Sequence, residues 1–199
     1  MTQNHHDDPS RMAILVIDVQ PVFVRPPLYP PVDGVLRRLQ VFIVQARSAG
    51  ATIVNVRIAI PKELYSDICE AQWGADFAQR IAPESPLSQF HPDFAPDSAD
   101  LVLVKTRYSA FVGTPLESML RMRGITTVVV AGLTADVCVG STARDAFQRD
   151  FHVITLSDCT AEMTQARYEG CMATMRGNFG RVMTSEELLA LWDMVVDGA

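Results

Sequence analysis

An acid, a base and a thiol stand at the ends of three separate apolar runs in this sequence. Asp18 follows the first run, Lys105 ends the third, and Cys138 lies in AGLTADVC just after the fourth. A thiol with an ordinary pKa of about 8.5 is mostly protonated at neutral pH, so a nucleophilic thiol needs help from its neighbours. Asp18 can accept the thiol proton, while Lys105 can keep Asp18 ionised and favour the thiolate. The three residues together favour a nucleophilic hydrolase that works without a catalytic histidine.

Each of the three residues also has a purely structural interpretation. An aspartate after a strand often caps a turn, a lysine at a strand end is usually solvated, and a cysteine in an apolar helix usually fills the core. The functional interpretation gains weight because all three positions fall on the same edge of the predicted sheet. Cys138 is also predicted in the first turn of a helix, where backbone N–H groups can receive a developing oxyanion.

Predicted strands and helices alternate regularly along the chain. Short apolar runs predict strands, and apolar residues at helical spacing predict helices. The predicted strands are 12–17, 52–60, 101–105, 126–131, 152–156 and 182–183, and the predicted helices are 32–49, 115–123, 136–149, 164–176 and 185–195. This alternation indicates an α/β fold in which helices cover both faces of a parallel sheet. Ligands of such sheets bind at the carboxyl ends of the strands.

The chain is predicted to form one domain over 12–199, preceded by a flexible polar terminus over 1–11. A long proline-rich connection over 61–99 contains a helical stretch near 73–81, and connections of this length are usually functional or disordered. Thr184 and Glu187 have the spacing of a capping box before the last helix.

Composition and charge narrow the function further. The 199 residues are 48% hydrophobic and 20% charged, which excludes a disordered chain, and the net charge of −6 disfavours binding to nucleic acid. We see neither an apolar run of about 18 residues for a membrane helix nor an export signal. The four cysteines form no CxxC pair, which is typical of free thiols in a reducing cytoplasm. We therefore expect a cytoplasmic protein that acts on a small molecule, with no membrane partner.

Four segments resemble the isochorismatase-like cysteine hydrolases, which include nicotinamidases and the N-carbamoylsarcosine and ureidoacrylate amidohydrolases. They are ILVIDVQPVF at 14–23, KTRYSAFVGTPLESMLR at 105–121, the stretch 128–161, and the closing region through VMTSEELLALW. The resemblance implies a three-layer α-β-α sandwich around a six-stranded, mostly parallel sheet, and a homo-oligomer, either dimer or tetramer. It also implies a catalytic triad and an oxyanion hole beside a cis peptide bond, at these positions: Asp18, Lys105 and Cys138 for the triad, and Leu133–Thr134 for the cis bond.

Two departures from the family pattern bear on the substrate. Many members read DxQNDF at the first strand end, whereas this chain has Pro21 and Val22 in place of the polar pair, so the pocket mouth is expected to be more apolar and stiffer. Nicotinamidases carry an Asp-x-His metal motif after the second strand, where this chain has NVRIAIP at 55–61. We therefore expect no metal, no other cofactor, and a substrate other than nicotinamide.

The remaining candidates are residues for binding the substrate. We expect the pocket to be lined by some of a set of polar and aromatic residues: Gln20, Phe23, Tyr29, Arg57, Trp73, Tyr108 and Phe111. Arg57 can pair with a substrate carboxylate. Alternatively, it forms a salt bridge within the protein. The aromatic residues can equally fill the core. Among the other thiols, Cys69 lies in the long connection and is expected to be the exposed rival of Cys138.

The leading hypothesis is a metal-independent hydrolase that cleaves a C–N bond of a small amide, carbamoyl or ureido compound through an acyl-enzyme. The retained Cys138 favours this reaction, because hydrolysis of a vinyl ether needs no thiol nucleophile. Two alternatives stay open: an isochorismatase-type vinyl-ether hydrolase, and a catalytically silent binding protein with the same fold.

Overall fold

A six-stranded, all-parallel sheet forms the centre of the molecule. The computed structural model describes residues 6–24 and 27–196. The strands are β1 (Met12–Ile17), β2 (Thr52–Ile58), β3 (Leu101–Lys105), β4 (Thr127–Leu133), β5 (His152–Ala161) and β6 (Arg181–Met183). Their spatial order is β3-β2-β1-β4-β5-β6, with every neighbouring pair parallel. The predicted α/β class and six-stranded sheet are confirmed.

Helices cover both faces of this sheet, as predicted for a three-layer α-β-α sandwich. They are α1 (Pro21–Val24), α2 (Val32–Ser48), α3 (Asp67–Trp73), α4 (Ala75–Arg80), α5 (Leu116–Met122), α6 (Gly140–Phe147), α7 (Gln165–Asn178) and α8 (Ser185–Val196). Buried residues of α5, α6 and α7 share one apolar core with Ala13, Leu15 and Ile17. Buried residues of α2 and α8 share the other core with the alternate β1 residues, Met12, Ile14 and Val16.

The two cores explain why β1 and β4 are continuous apolar runs. Side chains of a strand alternate between the two faces of the sheet, so a strand covered on both faces must be apolar at every position. All six residues of β1 and all seven of β4 are buried. The edge strand β3 is covered less completely and leaves Val102 and Val104 exposed.

The sequence placed most elements within a few residues, and the differences have local causes. β5 continues to Ala161 because the polar segment after Leu156 still pairs with β4, after a register shift between Val130 and Gly132. The predicted helix 136–149 begins instead with a π-helical turn, Ala135–Val139, before α6. The predicted capping box is confirmed, because Thr184 and Glu187 exchange side-chain to backbone hydrogen bonds of 2.7 and 3.2 Å.

The structure differs from the predicted flexible terminus over part of 1–11. Pro9–Arg11 forms a 3-10 turn in which the side chain of Asp8 accepts a hydrogen bond from the N–H of Ser10, and Asp7 is buried and paired with Arg181 of β6. The ion pair to a strand that is distant in sequence is what fixes this segment. Residues 1–5, including His5, lie outside the described residues. Within the described residues, no helix is both long and apolar enough to span a membrane.

Gly132, at the end of β4, generates the first prediction. Its φ is +114°, and a Cβ atom built there would lie 2.1 Å from the carbonyl oxygen of Ile17. Gly132→Ala therefore forces β1 and β4 apart, and we expect it to lower the free energy of unfolding by about 3 kcal/mol, roughly 10 °C in Tm. Gly170→Ala on α7 is the matched control, because a Cβ there meets nothing within 4 Å. Equal thermal melting curves for the two variants would contradict this account.

Candidate active site

The parallel sheet brings Asp18 and Lys105 to the same edge. Asp18 directly follows β1, and Lys105 is the last residue of β3. β2 lies between these two strands, so their backbones are about 10 Å apart, and the long lysine side chain crosses that gap. Asp18 has a φ of 51°, in the left-handed region, at the point where the chain leaves the sheet. The structure thereby places an acid and a base in contact over 87 residues of sequence.

The ammonium group of Lys105 is the centre of a buried polar cluster. Its Nζ atom lies 2.7 Å from Oδ2 of Asp18 and 3.5 Å from Sγ of Cys138, and it also donates to the carbonyl oxygen of Arg107 at 3.1 Å. Asp18 and Lys105 are fully buried, and Cys138 is 6% exposed. The other carboxylate oxygen of Asp18, Oδ1, has no hydrogen-bond partner among the described residues. It is the acceptor left available for a proton.

Burial and mutual attraction act in opposite directions on the acid and the base. Burial raises the pKa of Asp18, although the charge of Lys105 opposes the rise. Burial alone lowers the pKa of Lys105, but the charge of Asp18 and the sulfur of Cys138 outweigh it, and the net pKa of Lys105 is raised. Lys105 therefore stays protonated, and Asp18 is a stronger base than an exposed aspartate.

The surroundings of Cys138 raise the pKa of its thiol and favour the protonated form, which differs from the expected thiolate. Burial raises its pKa most, the negative charge of Asp18 raises it further, and the charge of Lys105 compensates only in part. The expectation considered the cation without the desolvation of a buried sulfur. Nor is Cys69 the exposed rival, because all four cysteines are buried.

The π-helical turn Ala135–Val139, called here the Cys138 turn, holds the thiol in place. Glu162 at the end of β5 accepts a hydrogen bond from the backbone N–H of Asp136 at 2.9 Å, and Thr142 donates to the carbonyl of Cys138 at 2.7 Å. Cys171 of α7 donates to the carbonyl of Ala135 at 3.2 Å. The turn follows the Leu133–Thr134 peptide bond, which is cis as the family resemblance implied.

Cys138 lies in the wall of a cavity of about 800 Å³. The cavity is mostly apolar and aromatic, with two arginines, and is lined by Val22, Phe23, Ile58, Gln72, Trp73, Phe77, Arg80, Tyr108, Leu133, Thr134, Val137, Cys138, Met163 and Arg167. Val22 is one of the residues that replace the polar pair of the family pattern, and it makes this wall apolar. Of the predicted pocket residues, Phe23, Trp73 and Tyr108 are in the lining.

Gln20 is predicted to bind substrate, but in the structure its side chain forms hydrogen bonds with the backbone of two other segments. Its Nε2 atom donates to the carbonyls of Ile58 at 2.9 Å and Ser88 at 2.5 Å, and its Oε1 atom accepts from the N–H of Ile58 at 2.9 Å. Gln20 is fully buried. It ties the end of β1 to β2 and to the long connection, and does not line the cavity.

Arg57 is also outside the cavity lining, for a reason set by the strand. Ile58 faces the cavity, and neighbouring residues of a strand point to opposite faces, so Arg57 points away. Its guanidinium donates to the carbonyl of Ser88 at 3.0 Å and lies 5.9 Å from the centre of the Phe90 ring. Burial lowers its pKa. Its contacts include no carboxylate of the described residues, so the expected salt bridge within the protein is not formed, and its side chain does not line the cavity.

Two aromatic candidates belong to the packing of the protein. Phe111 is 6% exposed and packs in the core, with its ring centre 6.0 Å from that of Phe151. Tyr29 makes an edge contact with Tyr168 at 5.5 Å between ring centres. An aromatic residue can lie in the core or in a pocket, and its type does not show which. Tertiary packing places Phe111 and Tyr29 against other side chains of the protein.

Arg80 and Arg167 line the cavity and were not selected from the sequence. Arg80 ends α4 inside the long connection, and Arg167 lies in the first turn of α7. The only available signal for Arg80 was its place in a long connection, a common location for binding residues. Among the described residues, no group of three or more His, Cys, Asp and Glu side chains is arranged to hold a metal ion.

Comparisons with known proteins agree with this architecture. A sequence profile described as the isochorismatase domain matches residues 12–187. The chain is 29% identical to a ureidoacrylate amidohydrolase of Methylorubrum extorquens, over 88% of the chain and 80% of the relative. It is 27% identical to a maleamate amidohydrolase of Pseudomonas putida, over 89% and 84% of the two chains. Its fold matches the crystal structure of a cysteine hydrolase from Pseudomonas syringae pv. phaseolicola with a TM-score of 0.87, at 27% identity and 94% coverage of each chain.

The opposing effects of Asp18 and Lys105 on the thiol generate the second prediction. Asp18→Asn keeps the size of the side chain and removes the charge that raises the pKa of Cys138, leaving Lys105 to lower it. We expect iodoacetamide at about pH 7.5 to alkylate Cys138 about tenfold faster in this variant than in the wild type, as measured by peptide mass spectrometry. Lys105→Met should slow alkylation. Slower alkylation of folded Asp18→Asn protein, with folding checked by circular dichroism, would contradict the assignment.

Proposed function

The chain belongs to the isochorismatase family, and on that premise we propose that it is a cysteine hydrolase that cleaves a C–N bond of a small amide, carbamoyl or ureido compound. One observation carries the proposal: Lys105 lies 2.7 Å from Asp18 and 3.5 Å from Cys138, beside a cavity open to a ligand. The names of two relatives, a ureidoacrylate amidohydrolase and a maleamate amidohydrolase, support amide hydrolysis in particular.

The first half of the reaction acylates the thiol. Asp18 accepts the proton of Cys138 as Sγ attacks the carbonyl carbon of the substrate, so that the S–C bond forms and the carbonyl oxygen becomes negative. We assign the donors for this oxygen to the backbone N–H groups of Thr134, which directly precedes the Cys138 turn, and of Cys138 within it. The C–N bond then breaks, the protonated Asp18 gives its proton to the leaving nitrogen, and ammonia or an amine departs.

The second half returns the enzyme to its starting state. A water molecule gives a proton to Asp18 and attacks the carbonyl carbon of the thioester. The C–S bond breaks, the sulfur takes the proton back from Asp18, and the acid product leaves. Asp18 therefore carries one proton in each half reaction, and the thiol and carboxylate end as they began.

Lys105 acts without exchanging a proton. Its raised pKa keeps it charged through the cycle, and its ammonium group holds the carboxylate of Asp18 and the sulfur of Cys138 in contact with the same atom. When the proton moves from sulfur to carboxylate, negative charge moves with the electron pair toward the substrate. Lys105 is 3.5 Å from that sulfur and stabilises the charge as it develops.

A protonated resting thiol also explains why the base must be next to it. A cysteine with a strongly lowered pKa is already ionised and needs no proton acceptor. Here the raised pKa of Cys138 makes transfer of the proton part of the attack itself. The available oxygen Oδ1 of Asp18 gives that proton a destination. The alternative hydrolysis of a vinyl ether would leave this pairing of thiol and base unused.

Replacing the thiol tests the proposal directly. Cys138→Ser should lower ammonia release from small amides and ureas by at least about 10³-fold, because a hydroxyl is much harder to ionise than a thiol. Cys69→Ser is the matched control, since Cys69 is also buried but lies outside the lining of the cavity, and it should keep most of the activity. Turnover of Cys138→Ser at a rate near that of the wild type would show that the reaction does not proceed through the thiol.

A further inference from the structure

The cavity beside Cys138 is positively charged, although the chain as a whole carries a net charge of −6. Two charged side chains, Arg80 and Arg167, are in its lining, and in the described part of the chain no aspartate or glutamate joins them there. The buried Lys105 and Asp18 behind the thiol form a pair and add no net charge. A ligand in this cavity therefore meets unbalanced positive charge.

The two arginines differ in how far their charge is already neutralised. Arg167 lies 3.6 Å from a carboxylate oxygen of Glu162 and 3.8 Å from one of Asp136. Arg80 takes part in none of the ion pairs among the described residues, and its guanidinium lies 5.8 Å from the centre of the Phe77 ring. Contact with this ring keeps the guanidinium against the cavity wall while leaving its N–H groups available. Arg80 is therefore the cation that can accept an anionic ligand group.

Next to Arg80 the wall of the cavity is aromatic. The ring of Phe77 lies 5.5 Å from Trp73 and 6.2 Å from Phe23, and Trp73 lies 5.4 Å from Tyr108. The indole N–H of Trp73 donates to the hydroxyl of Tyr108 at 2.9 Å, which fixes the pair. These faces offer stacking surface for a flat apolar group. The volume of about 800 Å³ is in the range of cavities that hold drug-sized ligands.

We propose that Arg80 is a specificity-determining residue that binds a carboxylate of the substrate, and that the preferred substrates are amides or ureas with both a carboxylate and an aromatic or other flat apolar group. This inference rests on the proposed function for the identity of the scissile group. In such a complex the amide lies at Cys138, the apolar group lies against Trp73 and Phe77, and the carboxylate pairs with Arg80. A guanidinium suits that role because it binds a carboxylate through two parallel hydrogen bonds.

The experiment compares two ureas that differ in one group. N-carbamoylphenylalanine has the carboxylate, and N-(2-phenylethyl)urea is the same molecule without it. In the wild type we expect kcat/KM for ammonia release to be about fivefold to tenfold higher for N-carbamoylphenylalanine than for N-(2-phenylethyl)urea. A factor of this size is typical of a partly solvated ion pair with good geometry. Arg80→Gln should bring this ratio close to one, because it should raise KM for N-carbamoylphenylalanine only. The kcat for both ureas, and KM for the uncharged urea, should change little.

The matched control is Arg176→Gln, which removes an exposed arginine of α7 that does not line the cavity. It should keep the wild-type ratio, whereas a similar loss in both variants would show a general effect of net charge. An unchanged ratio in Arg80→Gln overturns the inference, and so does a wild type without a preference.

Binding separates this inference from the proposed function. Calorimetry with the same two ureas measures the ratio of their Kd values in the wild type and in Arg80→Gln, whether or not either urea is hydrolysed. If neither urea releases ammonia but the carboxylate binds more tightly through Arg80, the choice of scissile group is wrong and the role of Arg80 stands. If both ureas are hydrolysed with equal binding and equal kcat/KM, the proposed function stands and the role of Arg80 is wrong.

Discussion

The contact between Lys105 and Asp18, at 2.7 Å and without access to solvent, is the interaction on which the rest of the site depends. Two opposite charges are costly to bury, and removing either partner from such a pair costs about 3–5 kcal/mol, because the other charge remains uncompensated. The pair therefore requires a sheet that holds the ends of β1 and β3 at a fixed separation. β1 is buried on both faces, and β2, which is hydrogen-bonded to β1 and to β3, holds the edge strand β3 at that separation.

The same pair determines the chemical state of the thiol. Burial raises the pKa of Cys138 most, the charge of Asp18 raises it further, and the charge of Lys105 opposes both in part. A protonated, buried thiol is a poor target for oxidants and for adventitious electrophiles. In the mechanism we propose, attack becomes favourable only when a carbonyl group lies beside the sulfur and Asp18 takes the proton. In our account, the protein thus keeps its nucleophile inert until a ligand occupies the cavity.

The sequence predicts the strands and the residues that meet at the edge of the sheet well, but it predicts the side chains around the cavity poorly. Apolar runs with no polar interruption predicted β1, β3 and β4, and the rule that parallel strands present their carboxyl ends at one edge grouped Asp18, Lys105 and Cys138. Gln20 and Arg57 were misplaced because their roles depend on the carbonyl of Ser88, more than thirty residues away, in a connection with no periodic pattern. Arg80 was missed because it lies in the same connection, where no periodic pattern marks a residue as part of a cavity. Irregular segments fold against the sheet through contacts that are not encoded in local spacing.

Trapping the covalent intermediate shows whether the thiol of Cys138 is the nucleophile. During turnover of an amide, acid quenching followed by peptide mass spectrometry should find the acyl group of the substrate on Cys138, at a level that falls once the substrate is consumed. Asp18→Asn protein treated in the same way should accumulate little of this adduct, because the leaving nitrogen has lost its proton donor and the C–N bond breaks slowly. Product formation at the wild-type rate with no acyl group on Cys138 at any quench time would contradict the account.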